Sequence, residues 1–140
     1  MEHIFEFAGN HLLLLAALVV ILLLLAQNLL SDIDGKGSVT PHRATELINR
    51  NDAVVVDVRP MADFSKSHII NAINIPVSTL NNQLTQLEKY KKVPIILACR
   101  SGAQSSAACK TLSKNGFDEV YNLKGGILAW EGANLPVRRK

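Results

Sequence analysis

The period of the apolar positions changes along the chain. Residues 12–26 are an unbroken run of 15 apolar side chains, Leu-rich on every helical face. Extended through Gln27 and Asn28 to Leu30, the run makes a helix about 28 Å long. That length predicts one crossing of a bilayer core, with the two amides near the headgroups. Uniform apolarity leaves no polar stripe that could lie in an interface. Residues 31–37, polar and punctuated by Gly35 and Gly37, read as a tether.

From residue 38 onward, short apolar runs alternate with helical spacings. Thr40-Pro41 predicts a helix start, and Ala44, Leu47 and Ile48 carry the helix to Arg50. Residues 53–58 are a β-branched run, the signature of a buried strand. A short helix is expected over 62–66, and a short strand over 72–75, stopped by Pro76. Ser78 or Thr79 caps a helix carrying Leu80, Leu84 and Leu87. Residues 93–99 form a second central strand, with Pro94 near its start, where a missing N–H is tolerable. A helix over 104–114 closes at Asn115-Gly116. A last strand spans 119–123, Gly125-Gly126 breaks it, and 127–131 is a short helix. Buried strands alternating with helices predict an α/β domain of three layers around a mainly parallel sheet. The expected organisation is an N-terminal segment with a transmembrane helix (1–30), the tether (31–37), the α/β domain (38–136) and a basic tail (137–140).

Charge adds an orientation. The first 35 residues hold four acids and no Lys or Arg, while the remainder carries all 15 basic residues and a net charge of +7. The basic side chains are scattered and not interleaved with Phe117, Tyr121 or Trp130, so nucleic acid is not an expected partner. With Lys36, Arg43 and Arg50 following the apolar run, the positive-inside rule places the domain in the cytoplasm, anchored to the inner membrane. A cleaved signal peptide would want a basic start and a small-x-small site, and neither is present. Two cysteines do not make a disulfide scaffold. No Cys/His cluster has metal-site spacing, so no metal and no cofactor is expected.

Cys99 is the informative residue. It ends an apolar strand, where open α/β sheets place their ligands, and a helix begins a few residues later. The free N–H groups and positive dipole end of that helix would face the sulfur. Gly102 allows the intervening loop to curl into an anion nest. Such a field favours a thiolate and would equally hold a persulfide. A buried core cysteine at a strand end is the alternative.

Five stretches of sequence then resemble the rhodanese family over about residues 38–136. They are Val56-Asp57-Val58-Arg59; Ser67-His68-Ile69 with Ala72-Ile73-Asn74-Ile75-Pro76; Cys99-Arg100-Ser101-Gly102; Gly116-Phe117-Asp118-Glu119-Val120; and Leu123-Lys124-Gly125-Gly126 with Trp130. With its apolar N-terminus, the chain is similar to membrane-anchored bacterial rhodanese-like proteins. The resemblance implies a sulfurtransferase in which Cys99 attacks a sulfane sulfur donor, carries the sulfur as a persulfide and passes it to a thiol or protein acceptor. It implies a substrate-binding cradle from Arg100, Ser101, Gly102, Ala103 and Gln104, with Arg100 and Gln104 toward an anionic donor. Family loops often carry Arg where this chain has Gln104, and thiosulfate-using loops Lys where it has Ser101. These differences leave the donor open.

Asp57 and Arg59 are supporting residues, either tuning the site or pairing to pin the loop. His68 is read as structural, Trp130 as capping the core and Cys109 as packing on a helix face with Leu112. Two other classes compete with the enzyme. One is a non-catalytic rhodanese-like module that recruits membrane-protein partners. The other is a phosphatase-like hydrolase, whose phosphate-clamping Arg would stand six positions after the cysteine. Here Ser105 occupies that position.

Overall fold

The computed structural model describes residues 1–33 and 37–139, with backbone only for 28–33. Residues 34–36 of the expected tether and Lys140 lie outside the described residues. The chain divides into two compact units, residues 1–36 and 37–140.

The first unit holds two helices, α1 (Glu2–Asn10) and α2 (Leu12–Ile33). Gly9 and Asn10, both poor helix formers, precede the break at His11. The His11 ring lies 4.7 Å from that of Phe7, centroid to centroid. The two axes bend by 90° between Glu2–Asn10 and Leu12–Gln27. Among the described residues, no single helix is long and apolar enough to cross a membrane, although the bent pair passes by length and composition. The bend lies at His11, ahead of the stretch 12–30 expected to cross, so it does not divide that stretch, and the crossing itself stays a proposal.

The second unit is the α/β domain. Its first strand, β1 (Ser38–Val39), leads into α3 (Pro41–Asn51), where the Thr40 hydroxyl accepts the Arg43 N–H at 3.2 Å. Next come β2 (Val54–Asp57), α4 (Met61–Lys66), β3 (His68–Ile69) and β4 (Ile73–Asn74). Two 3-10 helices, Val77–Asn82 and Leu84–Tyr90, replace the single helix expected there. Leu84, Leu87 and Tyr90 recur every third residue, the 3-10 period, and all three pack on the core. The chain then forms β5 (Ile95–Ala98), α5 (Ala103–Lys114), β6 (Val120–Leu123), α6 (Gly126–Gly132) and β7 (Val137–Arg138).

Five strands form one parallel sheet in the order β1-β6-β5-β2-β4. The alternation of side chains along β5 separates two cores. Ile95, Leu97 and Cys99 face α5 and the 3-10 helices with Val56, Ala108, Leu112 and Phe117. Ile96 and Ala98 face the other way, with Val55, Ala44, Leu47, Ile127 and Trp130. This is the expected three-layer arrangement. Part of the stretch set apart as a basic tail is a strand instead, since β7 pairs antiparallel with β3. Trp130 caps its core as expected, 3% exposed, its indole N–H donating to the Pro136 carbonyl at 3.1 Å.

Candidate active site

Cys99 follows β5 directly and is 2% exposed. Two neighbours bond its sulfur. The Gly102 N–H donates to Sγ at 3.0 Å, and the Ser105 hydroxyl lies 3.3 Å from it. Burial pushes the thiol pKa up, but the Ser105 hydroxyl and the N–H groups of Ser105, Gly102 and Ser101 outweigh it. The net result lies below the ordinary value of 9.0. Donors aimed at sulfur stabilise the thiolate more than the thiol.

The loop holds this curl through glycines. Gly102 has φ +95°, and a Cβ there would lie 3.3 Å from the Leu123 carbonyl oxygen. Gly126, with φ +60°, seats the first turn of α6 on the loop, and a Cβ there would collide with the Cys99 and Arg100 carbonyl oxygens. In place of that collision, the Ile127 and Leu128 N–H groups donate to those two carbonyls at 2.9 and 3.2 Å. The carbonyls are thereby engaged on the α6 side.

Cys99 opens on a cavity of about 600 Å³, lined among others by Arg59, Lys66, Arg100, Gln104, Leu128 and Glu131. Ser101 and Ala103 also line it, while Gly102 is buried behind them. Four of the five expected cradle residues thus surround one opening, with Arg100 and Gln104 exposed at its wall.

Asp57 and Arg59 are built into the scaffold. Asp57 is fully buried and its carboxylate accepts four bonds from Arg59, at 2.8 to 3.1 Å. Arg59 Nη2 also donates to the Ser67 carbonyl at 2.6 Å, and the Asn74 amide donates to the carbonyls of both Asp57 and Arg59. The pair clamps three segments while Arg59 borders the cavity. His68 is structural: it stacks on Phe64 at 3.8 Å, and its Nδ1 lies 2.8 Å from the Phe64 carbonyl. Cys109 is buried against Leu112, and burial first, then the nearby Cys99, pushes its thiol up to about 12.

Two residues, one bonded to the sulfur and one bonded to that residue, were not singled out for this role by the sequence. Ser105 is fully buried, and its hydroxyl also donates to Asn122 Oδ1. The Asn122 amide in turn donates to the Gly102 carbonyl at 3.0 Å. Ser105 had a visible signal, its place in the first turn of the helix that follows Cys99. Asn122 had none, because only the β5–β6 register places it beside the loop.

Comparison with known proteins decides the family. A model described as "Rhodanese-like domain" matches residues 40–133. The chain is a rhodanese-domain protein. A relative from Escherichia coli strain K12, called uncharacterized protein YibN, is 39% identical over 141 residues and covers 99% of both chains. A thiosulfate sulfurtransferase, GlpE of Actinobacillus pleuropneumoniae serotype 5b, is 32% identical over 71% of this chain and 90% of its own. Among solved structures, a rhodanese-related protein of Thermoplasma volcanium superposes with a TM-score of 0.67 at 30% identity. It covers 74% of this chain and 99% of that one. The rhodanese domain is thus the α/β unit, and the loop around Cys99 lies within the matched segment.

Proposed function

We propose that this rhodanese protein is a sulfurtransferase that carries sulfane sulfur on Cys99. The carrying observation is the sulfur itself: an acidified thiol at a strand end, bonded by Gly102 and Ser105, opening on a cavity edged by Arg100 and Lys66. In the loading step, the Cys99 thiolate attacks the outer sulfur of a sulfane donor. A new S–S bond forms, the donor's bond to that sulfur breaks, and the electron pair leaves with the donor. Arg100 and Lys66 receive the anionic end of the donor. In the unloading step, an acceptor thiolate attacks the outer sulfur of the persulfide, and the electron pair of the broken bond returns to Sγ as the Cys99 thiolate. No base is required, because the attacking form is already favoured. The N-terminal unit, where every leucine of Leu12–Leu25 except Leu15 is exposed, serves in this reading as the membrane anchor, with the domain on the cytoplasmic face.

The test is the intact mass of the full-length chain after treatment with thiosulfate or an organic persulfide and removal of the excess. A gain of one sulfur that is lost on adding a thiol supports the reading. No gain with either donor overturns it in favour of a recruiting module.

A further inference from the structure

The Ser105 hydroxyl has one proton and two acceptors. It lies 3.3 Å from Cys99 Sγ and also bonds Asn122 Oδ1. The orientation of the Asn122 amide is fixed from its other end. The Gly102 carbonyl can only accept, so Asn122 Nδ2 faces it at 3.0 Å and Oδ1 must face Ser105. Oδ1 can also only accept, so the serine proton is drawn toward Asn122. The oxygen lone pairs of Ser105 then face sulfur, and a neutral thiol completes the chain S–H to Oγ, O–H to Oδ1. A thiolate has no proton to give. It is best served when the hydroxyl turns and donates to Sγ, which leaves Oδ1 without its serine partner.

We propose that Ser105 and Asn122 form a proton switch, in which Asn122 withholds the serine proton from the Cys99 thiol and yields it when Sγ carries negative charge. Asn122 therefore opposes ionisation of Cys99, although it also braces the loop that promotes it. A brace alone would have the opposite sign. The consequence for turnover rests on the sulfur-carrier reading. In the persulfide, charge resides on the outer sulfur and the proton returns to Asn122. During unloading, charge develops on Sγ as the S–S bond breaks, and the hydroxyl turns to meet it. Ser105 touches the reacting atom, whereas Asn122 acts through Ser105 and is a positioning residue.

Other charged groups face the same thiol and stay constant in the comparison. Arg59, Asp63, Lys66, Arg100 and Glu131 line the cavity, and Cys109 lies behind on α5. Cys109, pushed up to about 12, stays protonated across the range needed.

The experiment is the pH dependence of iodoacetamide alkylation of Cys99 in the full-length chain, for wild type, Ser105→Ala, Asn122→Ala and the double variant. Asn122→Ala should lower the midpoint by about half to one pH unit, the worth of one redirected hydrogen bond. Ser105→Ala should raise it. In the Ser105→Ala background, removing Asn122 should no longer lower the midpoint. A rise on Asn122→Ala, or the same shift with and without Ser105, would overturn the switch. Should the alanine variant lose the wild-type circular dichroism, Asn122→Leu, which keeps the volume and removes the acceptor, must give the same sign. Alkylation needs no sulfur donor, so an absent mass gain would refute the carrier reading without touching this result.

Discussion

Two thiols on neighbouring elements of one domain have opposite acidities. Cys99 is bonded by donors and lies below 9.0, while Cys109 is pushed up to about 12 by burial first and then by the nearby Cys99. Cys99→Ser should abolish the mass gain with the fold intact. Cys109→Ala should preserve it, at a packing cost of about 1 kcal/mol, read by urea unfolding. The alkaline limb tests the Cys109 environment separately. Its folded pKa exceeds the unfolded one, so between about 9 and 12 the unfolded chain binds fewer protons and stability falls as pH rises. Cys109→Ala should flatten that fall in melts taken across the range. Arg100 and Gly102 separate side-chain from backbone control of Cys99. Arg100→Ala should move its alkylation midpoint little and weaken an anionic donor. Gly102→Val should raise the midpoint, because a branched residue resists φ +95° and withdraws the N–H from sulfur. Cys99 and Gly102 were legible in the sequence because they are three residues apart on one strand–loop–helix turn. Asn122 was not, since its pairing with the level of Leu97 exists only once β5 and β6 are in register.

At the scale of elements, the short helix α6 acts as a backstop for the active loop. The sequence reads Gly125-Gly126 as the end of a strand. In the fold, Gly126 is the point of closest approach between two backbones, a use of glycine that no local pattern reveals. Gly126→Ala should cost about 2–4 kcal/mol through strain and overlap, measured by denaturant unfolding. It should also raise the Cys99 midpoint, because the displaced carbonyls belong to Cys99 and Arg100 themselves. The central strands were legible from β-branched runs, which report burial on both faces. The short strands β1, β3 and β7 were not: each has two residues, too few for any period to register, whereas the equally short β4 was marked by Pro76 just after it. The region after Pro76 misled for a different reason. The spacing of Leu80, Leu84 and Leu87 fits a 3.6-residue helix, and the added period of Tyr90 is what separates it from two 3-10 turns.

For the whole molecule, the open question of topology is an experimental one. Protease added outside intact cells should leave residues 38–140 undigested, and lysis should expose them; cleavage without lysis would put the domain on the other side. The sequence conveyed the division into an apolar N-terminal unit and an α/β domain, because composition changes abruptly between them. It did not convey the break at His11, which depends on one residue between two helical stretches. The rims of the main sheet carry a further implication. On one side the rim is Ser38–Val39 and on the other Ile73–Asn74, each a strand of two residues. A long bare rim is a template on which another copy can add its own strand. Rims this short give an incoming chain almost no ladder to extend. Many copies crowded side by side could therefore collide repeatedly without zipping into a continuous sheet.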